Sequence, residues 1–302
     1  MKQVDVAVVG AGPAGIAAAL AAVGAGAKTM LIDEQAAVGG SLRWRIVPLA
    51  DLPGEFADLN GQPAIMIAAA LAERVASSAI DVATGAVAWG WFEGNILGVL
   101  AADGVYELEA GAIVIASGST DRVMPFAGST LPGVMTARAV QIFLHQHRVF
   151  PGRTFAVIGS GADAEEVVAA IETAGATVAC QASGVEDVRV RGKQRVEQVI
   201  CGEATGDVDS VVVALGRQPD PELALQALAQ HALRPEAGGF VPLLNEDGET
   251  SAAKLYVAGD AAGIVPDAEA FAQGRVAGLA AAGAGRADLA AARDALAALR
   301  RG

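Results

Sequence analysis

Aromatic residues make up only 4% of this 302-residue chain, cysteine occurs twice and histidine three times. So few rings argue against an aromatic-rich β-sandwich core. The 53% hydrophobic fraction rests instead on alanine, aliphatics and 37 glycines, a composition suited to helices packed closely on sheets. Cys180 and Cys201 form no CxxC, which excludes a redox disulfide of that spacing and a four-thiolate iron–sulfur cluster, and reads as two small core residues or quiet thiols. His145 and His147 would face different directions on a helix and His231 is isolated, so all three read as surface residues. No metal site and no Ser–His–Asp arrangement emerges. Basic residues are also scarce: a net charge of −13 repels phosphate backbones and anionic lipid, leaving small molecules and protein partners. Charge is missing altogether between Asp5 and Lys28, a length that suggests a membrane span or a leader. Gly10, Gly12, Pro13, Gly15, Gly24 and Gly26 interrupt it, so a strand, a turn and a buried helix are predicted, without a membrane span and in a cytoplasmic protein.

The chain has the length of two domains. Residues 4–9 (VDVAVV) predict a buried strand, 13–25 an alanine-rich helix and 28–33 (KTMLID) a second strand, which together make a βαβ unit. Helical composition returns at 65–76. From 80 to 108 the pattern turns to short β pieces with a hairpin at Asp103-Gly104, and 112–118 (AIVIASG) predicts a further buried strand. FAVIGSGADAEEVVAAIETAGATVAC, from 155, repeats the grammar of the N-terminus without close identity, and KLYVAGDAAG, from 254, resumes the first domain. The predicted class is α/β: residues 1–120 and 245–302 form one nucleotide-binding domain, and 121–244 form a second, inserted in it.

Gly10, Gly12 and Gly15 make GxGxxG between strand and helix, and Asp33 ends the next strand. Gly10 allows the tight turn, Gly12 lets a pyrophosphate approach the backbone, and Gly15 lets helix and strand pack. With Pro13 and Ala14 these residues open a helix whose free N–H groups and positive end suit a pyrophosphate. Asp33 can accept from ribose hydroxyls; Glu34 is adjacent but should point to the opposite face. Gly159, Gly161 and Ala164 form GxGxxA in the second unit. There Gln181 stands where an acid would hold an NAD ribose, and no arginine is nearby to meet a 2′-phosphate; Arg189 and Arg191 read as a solvated basic strand. Whether this unit takes NAD(P), takes another adenine nucleotide or is a retained scaffold stays open at the level of sequence.

LIDEQAAVGG after GAGPAG resembles the pyridine-nucleotide-disulfide-oxidoreductase superfamily. The resemblance implies that Gly39 and Gly40 lie against FAD; Ser41 departs from the glutamine of many relatives. Ala116-Ser117-Gly118 is similar to the family's ATG turn and YVAGD, ending in Gly259-Asp260, to its second FAD motif, in which the aspartate accepts from a ribitol hydroxyl. The implied fold is two Rossmann-like three-layer domains of the glutathione-reductase and thioredoxin-reductase kind. The helix after Pro266 would aim its positive end at the flavin pyrimidine. Arg43, Trp44 and Arg45 read equally as the edge of the flavin pocket or as a surface anchor.

The stretch AIVIASGSTDRVMPFAGSTLPGVMTARAVQIFL, supported by GDAAGIVPDAEAFAQGRVAGLAAA, resembles the FAD-binding subunit shared by hydrogen cyanide synthase, opine oxidases and heteromeric proline, hydroxyproline or sarcosine dehydrogenases and oxidases. That resemblance implies a hetero-oligomer in which an amine-oxidising flavoprotein subunit oxidises the substrate and this chain relays electrons. It leaves open an FMN at a subunit interface and, as a third polypeptide, a small iron–sulfur subunit. Two other functions compete: a stand-alone NAD(P)H-dependent FAD reductase, against which Gln181 argues, and a scaffolding subunit stabilised by its FAD. No residue stands out as a catalytic base.

Overall fold

A computed structural model describes residues 2–301 and divides the chain into two units. The first comprises the chain up to Arg43, Pro48–Ser119 and the chain from Gln218 onward; the second comprises Trp44–Val47 and Thr120–Arg217. The elements begin with β1 (Lys2–Val9), α1 (Pro13–Gly24), β2 (Thr29–Asp33), α2 (Ala64–Ala76), β3 (Asp81–Thr84), β4 (Val87–Phe92), β5 (Ile96–Ala101), β6 (Gly104–Ile115) and β7 (Ser119–Asp121). The second unit continues with β8 (Val134–Thr136), α3 (Ala137–Gln141), β9 (Thr154–Gly159), α4 (Ala162–Thr173), β10 (Thr177–Ala182), β11 (Val188–Arg191), β12 (Gln198–Cys201), β13 (Ala204–Asp207) and β14 (Ser210–Ala214). After β15 (Arg217–Pro219) come α5 (Glu222–Gln226), β16 (His231–Arg234), β17 (Gly239–Pro242), β18 (Leu255–Val257), α6 (Asp267–Ala281) and α7 (Arg286–Leu299).

In the first unit β3, β2, β1, β6 and β18 run parallel. Strands this deeply covered need apolar side chains on both faces, and Val6, Val8, Leu31 and Val114 on one face and Ala7, Ile32 and Ile113 on the other are all fully buried. Helices α1 and α6 lie on the sheet and against each other. The opposite face packs on Leu97, Val99 and Leu108 of the antiparallel β4–β5–β6 ribbon and on Leu223 and Ala224 of α5. The result is three layers. The strand expected at 112–118 is the end of a single 12-residue strand: the first half of β6 pairs with β5 through the Asp103-Gly104 hairpin, the second half with β18.

The second unit repeats the plan with a parallel sheet in the order β10-β9-β14-β8. Val140, Phe155, Val157, Val167 and Ile171 close the face under α3 and α4, while Ile158, Val188, Val190, Val199 and Val211 close the face under the antiparallel β11–β12–β13 sheet. It ends earlier than the sequence pattern predicts. Residues 218–244 group with the first unit because α5 contributes its apolar side to that unit's core. His145 and His231 are half-buried rather than freely exposed, each with its Nδ1 on a backbone carbonyl, of Trp44 and Ala229 respectively. Among the described residues no helix is long and apolar enough to cross a membrane.

Candidate functional site

The turn from β1 into α1 is built from contacts that leave no room for side chains. Gly10 sits at φ +100, and a Cβ there would overlap the Ala116 carbonyl; one on Gly15 would overlap the Gly10 carbonyl. The Gly10 N–H donates to Ile32 O (2.8 Å) and the Ala116 N–H to Val9 O (2.7 Å), which ties the turn to the ends of β2 and β6. Gly40, at φ +51, approaches Gly12 so closely that its own Cβ would collide with Gly12 Cα, and the neighbouring Gly39 donates to Ala11 O at 2.7 Å. Gly12 differs from all of these. Its φ is −80, and a Cβ would find only Gly40 Cα at 3.9 Å, an ordinary contact. The chain itself does not require glycine at that point, so the small residue keeps space free for something the chain does not supply.

The start of α1 matches that space. Gly12 caps the helix without a side-chain bond, Pro13 occupies its first turn and no acidic residue lies there, so the exposed N–H groups and the positive helix end face no competing anion of their own. Asp33, only 8% exposed, accepts from the Ala11 N–H (2.5 Å) and the Gln35 N–H (2.7 Å). Burial pushes its carboxyl above the ordinary aspartate range, against the opposing pull of those two donors and of the Arg43 charge. Asp33 therefore fixes the glycine turn while standing at the strand end. Glu34 is exposed and Ser41 half-buried in the single 3₁₀ turn Gly40–Trp44.

A second wall comes from the ends of β6 and β18. Ala116 is buried, Ser117 donates through Oγ to Asp220 O (2.6 Å), and Gly118 accepts from the Asp220 N–H (3.0 Å). Ser119 Oγ donates to Asp260 Oδ2 at 2.8 Å, and the Gly259 N–H donates to Gln273 Oε1 at 2.9 Å. Gly259 lies at φ +70 with Ala14 beneath it, which brings the YVAGD turn onto the first turn of α1. The glycine turn, the Gly39-Gly40 loop and the Gly259-Asp260 turn thus meet at one end of the parallel sheet, where ligands of open α/β sheets bind. Ser119 and Gln273 went unnoticed in the sequence. Only their spacing, immediately beyond Ala116-Ser117-Gly118 and on the helix following Asp260, could have signalled them.

The corresponding turn of the second unit is less suited to an anion. Gly159 (φ +138) would clash with the Ala214 carbonyl if it bore a Cβ, as its counterpart does, and Ala164 is buried on the inner side of α4. Yet Asp163 and Glu165 stand in the first turn of α4, with Arg217 on Asp163 (3.3 Å), and Gln181 is exposed on β10. Two carboxylates at a helix start repel a pyrophosphate that would need the same N–H groups. Arg189 and Arg191 alternate outward from buried valines on β11. Trp44 is buried within this unit, its carbonyl accepting from His145 and the Arg138 guanidinium 5.9 Å from its ring centre, while Arg45 pairs with Glu166 at 2.9 Å.

A model of the family described as pyridine nucleotide-disulphide oxidoreductase matches residues 4–186 and 170–284. The chain is 32% identical over 263 residues to the alpha subunit of sarcosine oxidase from Rhizobium meliloti strain 1021, covering 80% of this chain and 25% of that protein. To the larger-numbered match among opine oxidases, the FAD-fold subunit of the Agrobacterium tumefaciens strain Ach5 enzyme, it is 30% identical over 335 residues, covering 92% of this chain and 65% of that one. The chain thus spans between a quarter and two thirds of the length of these relatives. The crystal structure of an L-proline dehydrogenase from P. horikoshii superposes with a TM-score of 0.83 at 27% identity, covering 98% of this chain and 58% of that one. Thioredoxin reductase from T. acidophilum, at 16% identity and a TM-score of 0.68, shares the fold. With the family model running through both nucleotide folds and the glycine turn, strand-end acid and second aspartate converging in the first, the chain belongs to the pyridine nucleotide-disulphide oxidoreductase family and is a flavoprotein of the oxidoreductase class.

Proposed function

We propose that this chain is the FAD-binding subunit of a heteromeric dye-linked dehydrogenase or oxidase for an amine or imino acid, such as proline, hydroxyproline, sarcosine or an opine. The observation that carries the FAD assignment is the space kept open at Gly12, beside uncapped N–H groups of α1 and the acceptor Asp33. In this reading the α1 N–H groups hold the pyrophosphate, Asp33 accepts from the adenosine ribose and Asp260, steadied by Ser119, accepts from a ribitol hydroxyl. Bound there, FAD supplies reversible two-electron chemistry, and the chain's own residues bind and orient it.

The electron-relay role draws on the relatives, which are named as subunits, and on the layout of the chain. Both units are nucleotide folds, each with its β ribbon and helices used in its own core. The described residues leave no separate substrate domain, so substrate oxidation falls to an amine-oxidising partner subunit. An FMN at the subunit interface and a small iron–sulfur subunit would complete the relay. The decisive assay uses an artificial dye acceptor and these substrates with the chain alone and with the assembly copurified from its host. We expect turnover only with the assembly; substantial turnover by the chain alone would make this subunit the site of substrate oxidation. A flavin that substrate and partner together leave oxidised would favour the scaffolding role.

A further inference from the structure

The two cysteines, distant in sequence, meet in the second unit: Cys180 Sγ lies 2.7 Å from Cys201 Sγ. A local irregularity brings them together. Strand β10 pairs with β9 through Val178↔Phe155 and then Cys180↔Ala156, so Ala179 is an extra residue in the ladder. Residues two apart on a regular strand share a face. Here Val178 packs with the cluster under the helices, whereas Cys180 packs with the cluster on the opposite side, against the β11–β12–β13 sheet. A bulge that re-aims one side chain in this way accounts for the change of face. Cys201 ends β12, opposite Val188 on one side and Ala204 on the other, just before the Gly202-Glu203 hairpin turn. Both thiols are free and half-buried, and the sequence holds no other cysteine.

We propose that Cys180 and Cys201 are a disulfide-forming site, oxidised by hydrogen peroxide, that ties the edge strand β10 to the sheet lying over it. The Cys180 sulfur attacks one peroxide oxygen, the O–O bond breaks, and the departing hydroxide takes up a proton to leave as water, giving a sulfenic acid. Cys201 then attacks that sulfur; the S–O bond breaks, the S–S bond forms and a second water leaves with the Cys201 proton. Two thiols lose two electrons and two protons, and one peroxide is reduced to two waters. The order follows from the environment: burial, then the neighbouring Cys180 sulfur, push the Cys201 thiol up to about 12, so it keeps its proton until the resolving step.

The full chain is treated with hydrogen peroxide, unfolded in the presence of an alkylating reagent, and its thiols counted and its tryptic peptides weighed. Titratable thiols should fall from two per chain to none, with one cross-linked peptide containing both cysteines and full recovery after dithiothreitol. Under the same conditions Cys180→Ser should keep its single Cys201 thiol. The proposal is overturned if both wild-type thiols survive, if Cys201 is oxidised equally fast in Cys180→Ser, or if the cross-link joins separate chains.

Discussion

At the scale of single residues, the glycines separate into those the fold needs and one it does not. Gly10→Ala or Gly15→Ala drives a methyl group into a backbone carbonyl, so these variants should fail to accumulate as folded protein. Gly12→Ala meets no such obstacle. At a helix cap the exchange costs about 1 kcal/mol or less. We therefore expect Gly12→Ala to fold with nearly wild-type stability when flavin-free yet to lose at least tenfold in FAD affinity, about 1.4 kcal/mol. Equal flavin content in the purified variant and wild type would show that the space at Gly12 is not used. The same scale carries a pH prediction. Tyr256 is 4% exposed, and burial, then the carboxylates of Glu249 and Asp247, push its phenol up to about 12. The unfolded phenol titrates near 10. An acid raised on folding favours the folded state below the unfolded value and loses that contribution as pH rises through the folded one. Stability should therefore drop by roughly 2 kcal/mol between pH ~10 and ~12, in denaturation midpoints measured across that range. Tyr256→Phe should lack this part of the alkaline loss; parallel curves for the two proteins would refute the assignment.

At the scale of elements, the crossing of α1 and α6 decides whether the glycine turn and the Gly259-Asp260 turn can meet. Gly274 and Gly278 face Ala14 and Ala18, and a Cβ on either would overlap the α1 backbone. Because that contact is backbone against backbone, a methyl group can be accommodated only by pushing the helices apart. Gly274→Ala should destabilise the chain by about 1–3 kcal/mol and lower flavin retention as well, since it displaces the first turn of α1. Chemical denaturation and flavin content, read on one preparation, test both; a stable variant with full flavin would mean that the helices need not touch. Elements of this kind were the most legible part of the sequence. Valine runs, GxGxxG and the hairpin at Asp103-Gly104 identify β1, α1, β2 and the β5–β6 turn because local periodicity and turn chemistry determine them. Contacts between segments far apart in sequence were not legible. The assignment of α5 to the first core, the bond from Ser119 to Asp260 and the meeting of Cys180 with Cys201 depend on tertiary packing or on a one-residue bulge. No pattern within any one segment encodes them.

For the whole molecule, the two nucleotide folds share a plan but differ in charge where a nucleotide would bind. The first presents an α1 start without acids beside Gly12. The second presents Asp163 and Glu165 in the first turn of α4, and an exposed Gln181 on the strand where an NAD-binding fold holds its ribose with an acid. Arg217 offsets Asp163, and Arg45 with Gln141 engages Glu166, but Glu165 remains exposed at the helix start. An overall charge of −13 adds further repulsion toward a dianionic cofactor. A fold of this family can thus keep its second domain as architecture while electrons reach the flavin from elsewhere. The consequence is open to direct measurement. Mixed anaerobically with micromolar NADH or NADPH, the FAD-loaded chain should keep its oxidised flavin absorbance, whereas the copurified assembly should bleach on addition of its amine or imino-acid substrate. Rapid bleaching of the isolated chain by either nucleotide would mean that the second unit delivers hydride despite its acids, and would establish the chain as an NAD(P)H-dependent flavin reductase in its own right.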